Sequence, residues 1–137
     1  MKENQNLLSY NQWSCGDYTN DLTDFEQVIT CKITNKYSTQ GENSVQIGRT
    51  STDYWVDIPF TVPSIGEYTA QLKLRGEPGY MRIMHDETII AQVGTPRTNE
   101  WKTISLSTNI TNLTGNHIRI LNYFGDIFID DVRLTSS

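Results

Sequence analysis

Tyr68-Thr69-Ala70-Gln71-Leu72-Lys73-Leu74-Arg75 is the stretch that decides the fold. Tyr68, Ala70, Leu72 and Leu74 face one way, and Thr69, Gln71, Lys73 and Arg75 the other. A strand repeats every two residues, so this alternation places one apolar row on a half-buried strand. Downstream, Gly76-Glu77-Pro78-Gly79 breaks the run and Tyr80 to His85 follows. A turn at Asp86-Glu87 then leads into Thr88 to Val93, which predicts a hairpin. Trp101 to Leu106, Ile118 to Phe124 and Ile127 to Leu134 complete the set. Upstream, Tyr54 to Val62 puts Val56, Ile58, Phe60 and Val62 together. Ser44 to Ile47 follows the turn Gly41-Glu42-Asn43, and Val28 to Thr34 groups Ile29, Cys31 and Ile33. No segment keeps a helical period over three turns. Short, evenly spaced strands with no helix between them predict antiparallel pairing in an all-β sandwich or barrel. Without an internal repeat or a linker, residues 1–137 are expected to form one domain, long enough to bury roughly two-thirds of its unfolded surface.

Composition narrows the partners. With 36% hydrophobic residues, seven Tyr, four Phe and three Trp, the chain is too apolar and aromatic for disorder. No apolar run is long enough to cross a bilayer. The net charge of −5, with no clustered Lys or Arg, argues against nucleic acid and against an anionic membrane surface, both of which require cations. A neutral ligand carries no such penalty. Met1 to Asn6 lacks the hydrophobic stretch of a secretory signal, so the expected settings are a piece of a longer secreted protein or a virion component. Cys15 and Cys31 have neither metal-knuckle nor redox spacing. The alternatives are a Cys15–Cys31 disulfide and, favoured here, Cys31 as a small buried hydrophobe beside Ile29 and Ile33. Asn109-Ile110-Thr111 and Asn112-Leu113-Thr114 are acceptor sequons, relevant only in a glycosylating pathway.

In a sandwich the outward faces carry function. Trp55 and Asp57 oppose the Val56/Ile58/Phe60 row, Tyr80 and Arg82 oppose Met81 and Ile83, and Arg119 and Tyr123 oppose Ile118 and Ile120. Exposed aromatic rings of this kind usually have a ligand or a partner.

In order along the chain, several landmarks add to this pattern: Asn6-Leu7-Leu8, Gly41 to Ile47, Gly48-Arg49-Thr50-Ser51-Thr52-Asp53-Tyr54-Trp55, Val62-Pro63-Ser64-Ile65-Gly66-Glu67-Tyr68, Glu100-Trp101-Lys102 and Ile127-Phe128-Ile129-Asp130-Asp131-Val132-Arg133-Leu134. Together they resemble carbohydrate-binding modules of families four, nine and twenty-two over nearly the whole chain. The resemblance implies a galactose-binding-like jelly roll, a β-sandwich of two antiparallel sheets that binds polysaccharide. It places Trp55 where the family's binding Trp falls, and Trp13 where a core Phe is common. It also implies a structural Ca2+ held through Asp130 and Asp131. The family's further carboxylate would fall on Ser14, so one expected ligand is missing. Calcium takes six to eight oxygens, usually with more than one carboxylate.

The side-chain chemistry runs parallel. A pyranose offers a C–H face to an aromatic ring and an equator of hydroxyls to polar groups. Trp55 is the first platform, with Tyr54 replacing it if the register slips by one. Tyr80 and Tyr123 are further platforms, and Arg82, Arg75, Gln71 and Asp57 are candidate hydroxyl partners. Trp101 is expected to be structural. Catalysis needs converging acid–base groups or a nucleophile held by a base. His85 and His117 are the only imidazoles, and no nucleophile or phosphate-loop motif accompanies them, so no enzyme is expected. The expected role is to hold a larger glycan-acting enzyme, an adhesin or a phage tail protein to a polysaccharide, outside the cell, on its surface or on a virion. The alternatives are a structural or interaction module of a virion or cell surface, and a small glycan hydrolase.

Overall fold

The computed structural model describes residues 6–15, 22, 24–39, 43–50 and 54–136. Most of the turn at Gly41-Glu42 and the Ser51-Thr52-Asp53 part of the Gly-Arg-Thr stretch lie outside the described residues. Among the described residues, one short helix, α1 (Tyr10–Ser14), precedes nine strands: β1 (Cys31–Thr34), β2 (Ser44–Ile47), β3 (Trp55–Phe60), β4 (Gly66–Gly76), β5 (Gly79–His85), β6 (Thr88–Thr95), β7 (Thr98–Ile110), β8 (Asn116–Asn122) and β9 (Ile127–Ser136). They form two antiparallel sheets, one ordered β1-β2-β9-β4-β7 and the other β3-β8-β5-β6.

The alternating rows meet between the sheets. From the five-stranded sheet come Val45, Ile47, Tyr68, Ala70, Leu72, Leu74, Ile127, Ile129, Val132 and Leu134; from the four-stranded sheet come Val56, Ile58, Met81, Ile83, Ile118 and Ile120. Nearly all are fully buried, and this burial fixes register, because a one-residue slip would turn each row to solvent. The expected Tyr68–Arg75 alternation is therefore present in full. Gly79 has to be glycine: a Cβ there would stand 2.0 Å from the Leu121 carbonyl oxygen. That close approach holds β5 against β8.

Several local expectations change. The first strand begins at Cys31, and Ile29, in a turn, is 71% exposed rather than sharing a buried face with Cys31 and Ile33. Cys31 and Ile33 are half-buried against the core, and Cys15 and Cys31 are thiols, not joined in a disulfide. Strand β7 is longer than the Trp101–Leu106 run, because outward Ser, Thr and Asn residues extend it at both ends. Strand β8 ends at Asn122, leaving Tyr123 and Phe124 in a loop. Helix α1, too short to show a period, is set by a capping box: Ser9 Oγ accepts from Gln12 N, and Gln12 Oε1 accepts from Ser9 N. Trp13 packs against the core from it.

Candidate functional site

The outward face of the four-stranded sheet is built in rows set by register. Trp55, Leu121, Tyr80 and Gly94 lie side by side, and Asp57, Arg119, Arg82 and Gln92 form the next row. The first row continues off the sheet into Tyr54, before β3, and Tyr123, after β8. Four of the expected residues thus come together. Tyr54 packs edge-on against Trp55 at 5.1 Å and lies 5.8 Å from Tyr123, which meets the Tyr80 ring edge-on at 5.6 Å. These separations are those of aromatic pairs that fix one another's orientation.

Asn122 holds the assembly. Fully buried at the end of β8, it donates from Nδ2 to the Ile47 carbonyl at 2.9 Å, and its Oδ1 accepts from Phe124 N and Gly125 N. Its backbone N donates to the Tyr54 carbonyl, and its carbonyl accepts from Arg49 at 2.9 Å. One side chain thereby ties the Tyr123–Phe124 loop to the facing sheet. The loop, the Tyr80 ring, Gly79 and Gly94 enclose an open cleft of about 410 Å³. The Tyr80 ring lies beside Gly94, where a Cβ would meet it at an ordinary contact distance of 3.9 Å. Phe124, 70% exposed, and Tyr123, 36% exposed, are the open rings here.

Trp55 is less available than its neighbours. It is half-buried, the Arg119 guanidinium lies 5.0 Å from its ring centroid, and its indole N–H has no acceptor among the described residues. Asp57 does not await a ligand. Its carboxylate, 5% exposed, takes two hydrogen bonds from Arg119, at 2.9 and 3.1 Å, with His117 Nε2 3.6 Å away. A buried bidentate pair is the expected state of a carboxylate that cannot reach water. Burial pushes the His117 imidazole below its ordinary range, opposed by the Asp57 charge.

Gln71 and Arg75 do not belong to this site. Both project from β4 on the opposite sheet. Gln71 accepts from Ser105 across the β4–β7 pair, and the Arg75 guanidinium stacks 3.7 Å from the Tyr37 ring centroid and bonds the Asn99 carbonyl. Alternation placed them outward correctly, but period alone does not say which sheet a strand joins. Trp101 stands beside Arg75 in that second cluster, 5.9 Å from it.

The expected calcium ligands do not converge. Asp130 is fully buried and accepts from Thr39 N, Thr39 Oγ1 and Asp131 N. Asp131 sits at a bulge in β9 with φ 49° and pairs with Lys73 and Arg133. Donors and cations therefore surround these carboxylates where calcium needs more oxygens, and the described residues hold no cluster of three acidic, His or Cys ligands. Among the described residues, the surroundings of Asp130 and Asp131 hold no set of oxygens that fits the ion.

A second, larger groove of about 1160 Å³ runs beside α1, β3 and the turn before β8. Asp24, Glu26, Asp86 and Glu87 line it together with the Asp57–Arg119–His117 cluster, and among the described residues its one Phe, Tyr or Trp, Phe60, is buried. It offers no open ring for a sugar face. Sequence reasoning missed Arg49 and Phe124 as site residues, and placed Arg119 on the outward face without giving it a role. For Arg49 a signal existed in Gly48-Arg49-Thr50, six residues before Trp55.

No protein-family model matches the chain, and no curated protein matches it in sequence. Solved structures match throughout. TmCBM61 in complex with beta-1,4-galactotriose superposes with a TM-score of 0.70 at 20% identity, covering 97% of this chain and 99% of that one. The module CBM6cm-2 from Cellvibrio mixtus lichenase 5A, in complex with cellotriose, gives 0.63 at 16% identity over 85% and 95% of the two chains. The Clostridium thermocellum xylanase 10B CBM22-1–GH10 modules, complexed with xylohexaose, give 0.64 at 16% identity over 85% of this chain and 27% of that one. At such identities the likeness is one of fold: the chain shares the β-sandwich of these modules, the two-sheet antiparallel architecture that the resemblance implied.

Proposed function

We propose that this chain binds carbohydrate without catalysis, through the surface formed by Tyr54, Tyr80, Tyr123 and Phe124, with Trp55 supporting it from beneath. The observation that carries the reading is the continuous aromatic run from Trp55 to Tyr80, braced by Asn122 and opening on the cleft beside Phe124. Rings fixed by packing lose little entropy when a sugar covers them. The fold shared with modules solved in complex with oligosaccharides supports the same reading. Affinity is expected at roughly micromolar to millimolar, since an open cleft buries few contacts. As one domain, the chain would hold a larger glycan-acting enzyme, adhesin or phage tail protein to a polysaccharide outside the cell, on its surface or on a virion.

The test is tryptophan fluorescence during titration with soluble polysaccharides, repeated with Tyr123→Ala and Phe124→Ala. Trp55 touches Tyr54, so its emission reports on the cluster. The expected result is a saturable change with at least one glycan that weakens at least tenfold in each variant, with no release of reducing sugar. No response to any glycan, with self-association on sizing, would instead favour an interaction module.

A further inference from the structure

We infer that the glycan carries carboxylate groups, a uronate-containing polysaccharide, which Arg49 and Arg82 recognise at either side of the aromatic run. This rests on the carbohydrate reading above and names its ligand class. The chain as a whole is acidic, yet two arginines, Arg49 and Arg82, stand beside the rings of the aromatic run. Arg97, Arg119 and Arg133 each pair with a carboxylate, of Glu77, Asp57 and Asp131. Arg49 and Arg82 have no carboxylate within ion-pair distance among the described residues.

Both are nevertheless held in place by neutral groups. Arg49 donates to the Asn122 carbonyl, and its guanidinium lies 5.0 Å from the Tyr54 ring centroid and 5.9 Å from that of Tyr123. Arg82 donates from Nε to Gln92 Oε1 at 2.9 Å and lies 5.8 Å from the Tyr80 centroid. A guanidinium oriented by a ring and one neutral bond keeps further N–H groups in a planar fork, the geometry that matches a carboxylate. Arg75 also lacks a carboxylate partner, but it is stacked on the opposite sheet, away from the cleft. Two cations with no carboxylate partner among the described residues, flanking Tyr80, Tyr123 and Tyr54, suit a chain of sugar rings whose charges recur along its length. Stacking then holds the rings and the arginines read the acid groups.

The experiment titrates the whole chain with polygalacturonate, alginate and glucuronoxylan, each beside its carboxyl-reduced form, which keeps backbone and linkage but lacks the charge. The inference predicts that at least one uronate binds about tenfold or more tighter than its reduced form, more weakly as salt rises. Arg82→Gln and Arg49→Gln should each lower that affinity at least fivefold, and Arg82→Lys should retain part of it, with unchanged melting showing that the variants fold. Equal binding of acidic and reduced forms, or of neutral glycans alone, would overturn the charge assignment and leave carbohydrate binding standing. Dextran sulfate bound as tightly as the best uronate would overturn carboxylate recognition in favour of general polyanion attraction. Silence with every glycan would overturn both readings.

Discussion

Replacing Asn122 by Ala tests the construction of the site independently of any ligand. The substitution removes three side-chain hydrogen bonds, one to the Ile47 carbonyl and two from the Phe124 and Gly125 amides. The Ile47 acceptor lies in the buried part of β2, where losing its partner costs about 1–3 kcal/mol. The two loop amides are only partly buried and turn to water, so each contributes about 0.5–1 kcal/mol. The backbone bonds to Tyr54 and from Arg49 survive. The expected loss is therefore about 2–5 kcal/mol, which for a domain of this size lowers the melting temperature by about 7–18 °C. Urea unfolding should show a lower midpoint at unchanged slope. Asn122→Asp should be at least as damaging at neutral pH, since it keeps the acceptor for the loop but turns a second oxygen toward the Ile47 carbonyl. A loss under about 1 kcal/mol in Asn122→Ala would refute the assignment of Asn122 as the brace.

Three further outcomes follow from the same structure. The folded imidazole of His117 titrates below its unfolded value of about 6.5, with Asp57, Arg119, Glu26 and Glu87 as its charged surroundings, so the unfolded chain binds the extra proton first as pH falls. Its share of stability is intact above that value and declines as pH drops toward the folded pKa. Urea unfolding at pH 7.5 and 5.5 should show a smaller difference in His117→Gln than in the parent protein. The Cys31 thiol, raised by burial to about 12, should resist alkylation at pH 8 in the native protein, whereas two thiols should react once it is unfolded. Adding a chelator, or calcium, should leave the melting temperature within 1–2 °C (roughly the half-kilocalorie level), because the Asp130 and Asp131 carboxylates are already engaged by Thr39, Lys73 and Arg133.

Much of the fold is legible because burial on one face leaves a period-two signature, and Tyr68 to Arg75, Val56 to Phe60 and the Asp86-Glu87 hairpin show it without ambiguity. Helix α1 leaves no such trace, since five residues are specified by Ser9 and Gln12 at its cap rather than by a repeat. At the site, alternation put Trp55 and Tyr80 outward and the β3–β8–β5 register sets them in one row, whereas Tyr54 and Tyr123 join them from the flanking loops. Asp57 could not be placed correctly from sequence, because its partner Arg119 is sixty-two positions away and only the β3–β8 register brings them together. The same blindness to pairing put Gln71 and Arg75 with residues of the other sheet. Phe124 was counted as a strand residue, although Asn122 ends the strand by drawing the Phe124 and Gly125 amides onto its own side chain.

Strand β9 lies between β2 and β4, so the five-stranded sheet is two separate pieces until it arrives. On a ribosome, β1 and β2 would wait some eighty residues for the neighbour that covers them, and β3 would wait for β8. Pairings so far apart in sequence close slowly, on a millisecond-to-second scale, and leave apolar edges exposed meanwhile. A nascent chain stalled before residue 127 would therefore be a sticky intermediate rather than a smaller folded unit, and changes in β9 should act on the yield of folding as much as on the stability of its product.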